Sequence, residues 1–336
     1  MLSQPLEKAR RGEDLTMEEM AQAIGSIMQG QCEEDQIGEL LLALREKGEA
    51  VAEIAGAAAA MRQQMTKIVS SRTDLLDTCG TGGDGSGIFN VSTAAAIVAA
   101  AAGVAVAKHG NRGITSKSGS ADVLATLGVN LDASVETIQT CLDEVGLCFC
   151  FAPQLHASMK HVAPVRKKLG VPTIFNMLGP LCNPAGADYQ LLGVGKPHLR
   201  PLLSAALQML GAQRAVVVCG EDGLDEVTLT GATHVSEVTP EGVREFTWTP
   251  AEFGLPENGL DSLKVDGPEQ SAAVIDRILN GEIGPARDIV VLNAAAALWT
   301  AGRSDSTETC AVLAAQAIDS GAARAKLEHL SQASQS

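Results

Sequence analysis

The sequence predicts an α/β fold: a large α/β domain with a central, mostly parallel sheet, joined to a small all-helical domain. Three observations predict it. Residues 1–67 carry helical periodicity and no strand pattern. From Asp74 onward, short apolar strand candidates alternate with helices. A glycine-rich run stands where the first strand passes into its helix. Alternation of this kind builds parallel sheets, whose ligands lie at the carboxyl ends of the strands. A length of 336 residues suits two units rather than one small core.

Taken in order, Thr16 reads as a helix N-cap, with Glu19 completing a capping box. Ile37, Leu40, Leu41 and Leu44 recur at helical spacing, and Val51 to Met65 reads as an Ala-rich amphipathic helix. Leu75–Thr78 is a strand candidate, Val91–Ala102 a helix, Val104–Ala107 a second strand ending at Lys108, and Ser120–Leu127 a helix. Ala215–Val218 and Ile289–Leu292 read as further strands. The segment from Pro153 to Pro184, rich in Pro, Gly and basic residues, is expected to pass back through the helical domain. The resulting division is 1–67 with 154–180 helical, and 71–153 with 181–336 α/β.

Bulk properties exclude several function classes. The formal net charge of −15 opposes long-range attraction to nucleic acid or an acidic membrane face. A small anion needs only a local positive pocket. The longest apolar run, Val91 to Ala107, is mostly Ala and breaks at Gly103, too short for a membrane span. Eight cysteines without a C-x-x-C pair read as buried thiols of a reducing compartment. The polar first 15 residues contain no signal peptide, so a cytoplasmic protein is expected.

The chemistry centres on Gly80-Thr81-Gly82-Gly83-Asp84-Gly85-Ser86-Gly87, followed by Asn90, Ser92 and Thr93 at a helix start. Glycines let backbone N–H groups approach an anion, and a helix N-terminus adds free donors. Gly80, Gly82 and Gly85 match the dinucleotide pattern G-x-G-x-x-G, but the next strand ends in Lys108-His109 instead of the acidic residue that pattern requires. No Gly-Lys-Ser/Thr closes the loop as in a Walker motif.

Two windows, Gly85–Ala121 and Val145–Ala187, lack acidic residues while holding Lys108, Arg112, Lys117, Lys160, Arg166, Lys167 and Lys168. Lys167 and Lys168 read best as a solvated face, and His109 taken alone as a core histidine. Lys108 and Arg112, beside Asn111 and Gly113 in a strand-end loop, suit an anion pocket. Asp225-Glu226, following the strand that ends at Val218-Cys219, offers hard oxygen ligands of the kind Mg²⁺ takes together with substrate phosphates.

Together these residues resemble the anthranilate phosphoribosyltransferase family from about Asp77 to beyond residue 300. The resemblance is carried by Cys79–Gly85, Phe89–Thr93, Lys108–Arg112, Ser116–Asp122, Pro164–Arg166, Thr173–Asn176, Leu178–Leu181 and Asp222–Glu226, in that order. It implies a nucleoside phosphorylase/phosphoribosyltransferase-like fold, a homodimer formed through the helical domain, and transfer of ribose 5-phosphate from phosphoribosyl pyrophosphate to anthranilate in tryptophan biosynthesis. It implies donor contacts from Gly80, Gly83, Asp84, Ile88, Asn90, Ser92, Thr93, Lys108 and Ser120. It implies acceptor contacts from Gly80, His109, Asn111, Arg166 and Gly179, and Mg²⁺ ligation by Ser92, Asp225 and Glu226. Lys108, Asn111 and Arg166 are the expected catalytic residues. Ile88 departs from the pattern, which carries a hydroxyl residue there. Two rival readings are a pyrimidine nucleoside phosphorylase and a nucleic-acid-binding relative of the same fold. The Asn111-Arg112 loop opposes the first; the acidic charge and the intact Asp225-Glu226 pair oppose the second.

Overall fold

In the computed structural model, residues 1–113 and 118–336 are described. Four helices open the chain: α1 (Ser3–Arg10), α2 (Met17–Met28), α3 (Glu34–Lys47) and α4 (Val51–Gln64). The Thr16 capping box forms as expected: Thr16 Oγ1 accepts from the Glu19 N–H at 3.1 Å, and Glu19 accepts from the Thr16 N–H at 2.9 Å. Buried Glu53 accepts from the Leu15 and Ala50 N–H groups and pairs with Lys47 at 3.0 Å, so its charge is compensated. Helix α2 lies against α4, and Gly56 makes this possible, since a Cβ there would stand 2.3 Å from the Met17 carbonyl oxygen.

The sheet follows, with β1 (Leu76–Asp77), α5 (Val91–Ala101), β2 (Val106–Gly110), α6 (Ser120–Thr126), α7 (Val135–Thr140) and β3 (Leu147–Phe151). Short helices α8 (Ala152–Leu155), α9 (Ala163–Leu169) and α10 (Phe175–Leu178) lead to β4 (Tyr189–Gly193), α11 (Leu199–Met209), β5 (Arg214–Gly220), β6 (Thr233–Thr239) and β7 (Gly242–Trp248). Helices α12 (Pro268–Leu279), α13 (Pro285–Thr300), α14 (Thr307–Asp319) and α15 (Ala322–Ala333) close the chain.

The seven strands run in the order β3-β2-β1-β4-β5-β6-β7. The first five are mutually parallel, and β6 and β7 pair antiparallel. The chain moves from β1 outward through β2 to β3, then returns to the other side of β1 as β4. The crevice between the carboxyl ends of β1 and β4 is therefore a topological switch point, and the glycine loop occupies it.

Side chains alternate across the sheet with period two. Leu191, Val216 and Val218 join a core with α5, α13 and α15. Leu192, Ala215, Val217 and Cys219 join a second core with α11, α1–α4 and the segment Val162–Cys182. Helix α9 lies beside α3.

Two sequence readings are corrected. Ile289–Leu292 is not a strand but part of α13, buried on all sides. A short apolar run cannot distinguish a strand from a fully buried helix; Pro285 at the first turn and the alanines at 294–297 favour helix here. The second strand spans Val106–Gly110 rather than 104–107, so Lys108 and His109 lie within it.

Candidate active site

The carboxyl ends of β1, β2 and β3 open into a cavity of about 710 Å³, closed on the far side by α9, α10 and the Ala157–His161 turn. Its lining includes Gly80, Gly83, Asp84, Ile88, Asn90, Ser92, Lys108, His109, Asn111, Ser120, Arg166, Gly179, Asp225 and Glu226. Of the expected donor, acceptor and metal contacts, Thr93 alone does not line it. That side chain is fully buried and donates to Asn90 Oδ1, the cap of α5. Ser116 and Lys117 lie outside the described residues.

Backbone conformation brings the loop onto its partners. Gly82 and Gly83 have φ of +65° and +80°, the left-handed region in which side chains are strained. This turns the Gly82 N–H onto Asp225 Oδ2 at 2.8 Å, and the Thr81 N–H onto the Gly193 carbonyl at 2.9 Å. Gly193 has to be glycine: a Cβ there would stand 1.6 Å from the Asp225 carbonyl oxygen.

The floor of this end holds three carboxylates. Burial first, and the neighbouring Asp84 carboxylate second, push Asp225 up to about 7; the two acids share a hydrogen bond. Burial and then Asp225 raise Glu226 well above the usual carboxylate range, against the pull of Lys108. Lys108, nearly fully buried, donates from Nζ to the Thr78 carbonyl at 3.2 Å, to Thr78 Oγ1 at 3.3 Å and to Ser92 Oγ at 3.3 Å. Thr78 is thus an anchor that sequence reading missed; a threonine after a strand carries no distinguishing signal.

The opposite end is built from neutral groups and one guanidinium. His109 Nδ1 donates to the Gly179 carbonyl at 3.1 Å, and His156 Nε2 donates to His109 Nε2 at 3.2 Å. Burial lowers His109 to about 3 and His156 to about 4, so both rings are neutral. His156 had only been noted as part of a basic stretch. Arg166 donates to Asn176 Oδ1 at 3.3 Å and lies over the Phe175 ring, with no carboxylate partner among the described residues. Arg112 differs: it pairs with Asp122 at 2.9 Å, so its charge is engaged in holding the 111–122 loop. Asn111 closes the same loop through its carbonyl, which accepts from Ser120 Oγ and the Ala121 N–H.

Asp77, Cys79 and His109 also place one ligand atom each within 4.8 Å of one another. Their capacity is already used. Asp77 accepts from the His109 N–H at 3.0 Å and from Asn183 at 2.7 Å, and burial pushes the Cys79 thiol up, so it is neither thiolate nor nucleophile.

A helical bundle set on a mostly parallel sheet, with a glycine loop at the strand ends and an arginine on the same cavity's wall, defines an enzyme of the group-transfer class. Residues 72–324 match the glycosyl transferase family a/b domain, and residues 3–65 match the glycosyl transferase family helical bundle domain. The chain is 50% identical over 330 residues to the anthranilate phosphoribosyltransferase of Rhodopirellula baltica, covering 98% of this chain and 96% of that one. It is equally similar, at 50% over 320 residues, to that of Chromobacterium violaceum, covering 95% and 94%. The crystal structure of the Thermus thermophilus enzyme superposes with a TM-score of 0.93 at 45% identity over 99% of both chains. The Saccharomyces cerevisiae enzyme in complex with PRPP and Mg superposes at 0.91 with 30% identity, over 99% and 98%. The chain belongs to the anthranilate phosphoribosyltransferase family.

Proposed function

We propose that this chain transfers the 5-phosphoribosyl group from phosphoribosyl pyrophosphate to the amine of anthranilate, giving N-(5-phosphoribosyl)anthranilate and pyrophosphate in tryptophan biosynthesis. One observation carries the reading. A single cavity joins a floor of raised, crowded carboxylates under a glycine loop to a wall bearing an arginine without a counter-ion.

The floor suits Mg²⁺. Asp225 and Glu226, with the Ser92 hydroxyl beside them, form an all-oxygen donor set whose mutual repulsion a dication relieves. When bound there, the ion would neutralise charge on the departing pyrophosphate. The chain's own residues supply the rest. Gly80, Gly83, Asp84, Asn90 and Ser120 shape the donor pocket, with Ile88 along its edge, and Thr93 acts through Asn90. Lys108, locked by three hydrogen bonds, holds a fixed positive charge at the leaving-group end. Arg166 pairs with the aryl carboxylate, while Asn111, His109, Gly80 and Gly179 orient the ring. The amine nitrogen bonds to ribose C1 as the bond to the pyrophosphate oxygen breaks, and the amine proton passes to solvent. An aryl amine is already neutral near pH 7, which fits a wall of neutral imidazoles.

The reading extends to organisation. Residues 1–67 with 154–180 would form the dimerising unit and part of the acceptor site, and 71–153 with 181–336 the donor-binding unit. Among the described residues no helix is long and apolar enough to cross a membrane. Eight free thiols support a cytoplasmic setting. The direct test is loss of anthranilate fluorescence with phosphoribosyl pyrophosphate and Mg²⁺. Folded protein that consumes no anthranilate would overturn the reading.

A further inference from the structure

Behind the acceptor wall lies a second cavity of about 280 Å³, and only one turn of chain separates it from the active-site cleft. That turn, Gly179–Leu181, is a single turn of 3₁₀-helix with Pro180 near its start. Pro180 lines both cavities, and Gly179 lines the cleft. Leu181 is packed in the core beside the amino-terminal helices, but Pro180 stands between two cavities.

Hydrogen bonds to its carbonyls hold it as well. The Gly179 carbonyl accepts from His109 Nδ1 at 3.1 Å, the Pro180 carbonyl from Gln190 Nε2 at 2.6 Å, and the Leu181 carbonyl from Arg62 Nε at 2.7 Å. Three successive carbonyls are thus held by three different elements: β2, β4 and α4. The Gly179 carbonyl also accepts from the Cys182 N–H at 3.2 Å, closing the turn, whereas the Pro180 and Leu181 carbonyls are met by the external donors.

Arg62 is the one donor supplied by the amino-terminal helices, and it stands in the last turn of α4. The chain then crosses to the sheet domain, tied by the Thr66 N–H to the Leu155 carbonyl at 2.8 Å and by the Ile68 N–H to the Pro184 carbonyl at 3.0 Å. Arg62 does not line the cleft; it lines the rear cavity and has no carboxylate partner among the described residues. An arginine without a counter-ion is expensive to bury, and burial here lowers its pKa.

We propose that Arg62 is a positioning residue for the acceptor. Its bond to the Leu181 carbonyl fixes the Gly179–Leu181 wall relative to the amino-terminal helices, and so sets affinity for the aryl carboxylate substrate without touching it. Remove the guanidinium and the wall relaxes into the rear cavity. Gly179 and the ring of His109 bonded to it then shift away from the acceptor, while the donor floor around Asp225 keeps its own contacts. The inference rests on the anthranilate-transferring activity proposed above.

The test is steady-state kinetics of R62A and R62K with each substrate varied in turn, beside melting curves. In R62A the KM for anthranilate should rise about tenfold, the factor that loss of one charge-assisted bond gives, with the KM for phosphoribosyl pyrophosphate within about twofold of wild type. Millimolar guanidinium chloride should restore part of the loss by entering the vacated space, and sodium chloride at equal ionic strength should not. If R62A does not fold, R62K makes the same comparison, since its ammonium lacks the placed Nε–H. An unchanged anthranilate KM in folded variant would overturn the proposal, as would equal rises in both KM values. Wild-type protein that does not consume anthranilate would instead overturn the activity itself, so the two failures are distinguishable.

Discussion

At the glycine-loop end of the cleft, three carboxylates and a buried lysine crowd into a space that burial makes hostile to negative charge. At the other end, two imidazoles are kept neutral and one guanidinium is left without a counter-ion. The first end stores electrostatic strain that a bound cation would relieve. The second spends little on charge and concentrates on orientation. Removing a carboxylate should therefore stabilise the empty protein while abolishing its chemistry, whereas changes at the acceptor end should act on affinity.

The largest effect is expected from D225N combined with E226Q. Activity at ordinary Mg²⁺ should fall by about 10²-fold or more, the scale for losing charge stabilisation in a water-poor site. Stability should move the other way. Asp225 titrates in the folded state at about 7 against an ordinary 3.8, so the folded protein binds more protons than the unfolded chain between those values and loses stability as pH rises through that window. Without Mg²⁺ near pH 8, D225N should melt higher than wild type. Mg²⁺ should raise the wild-type melting temperature near pH 8 and hardly at all near pH 5. A variant as active as wild type, or one that melts lower, would break the contrast between the two ends.

At the acceptor end, R166A should raise the KM for anthranilate about 10- to 100-fold, as expected for losing a bidentate carboxylate bond, and leave the donor KM nearly unchanged. Isothermal titration with each substrate separately would check it. Equal losses for both substrates would mean that the ends are not separate.

The neutral imidazoles give a smaller effect with a definite sign. His109 and His156 protonate in the folded state only near 3 and 4, against an ordinary 6.5. The unfolded chain therefore takes up protons from about pH 6.5 downward while the folded protein does not. Stability contributed by their neutral burial is present above pH 6.5 and is lost on acidification, about 2 kcal/mol per imidazole by pH 5. Melting curves from pH 8 to 5 should show the decline, and H156Q should flatten it.

How far the sequence disclosed this arrangement follows the same division. The glycine-loop end was legible because each of its pieces follows a strand that hydrophobic patterning reveals: the loop 80–87, Lys108 and the 225–226 pair. The other end depends on contacts between residues far apart. Nothing near Gln190 or Arg62 in sequence marks them as donors to Pro180 and Leu181, over a hundred residues away in the case of Arg62. Arg112 looked like a free cation because its acid-free window stops one residue short of Asp122, with which it pairs. Ile289–Leu292 misled because complete burial erases the polar stripe that separates helix from strand. Strand β7 was missed for a different reason: it is largely exposed, so its pattern is mostly polar.

The smallest expected effect is at the seam between these regions of legibility. Ile88 lines the donor end where the family pattern has a hydroxyl, and its side chain also packs against the buried core beneath α5. Its backbone is held independently: its N–H donates to Ser86 Oγ at 3.4 Å, and it bridges to Lys264 across a short antiparallel contact. Replacing it with Thr keeps the branched shape and adds a donor at the pocket edge. The KM for phosphoribosyl pyrophosphate should fall by about two- to fivefold, the range of one neutral hydrogen bond. The anthranilate KM should stay unchanged, and the melting temperature should drop slightly as apolar contact is lost. A donor KM that does not move would show that the backbone N–H groups of the glycine loop already satisfy the donor at this point. The isoleucine would then be a packing choice with no cost to binding.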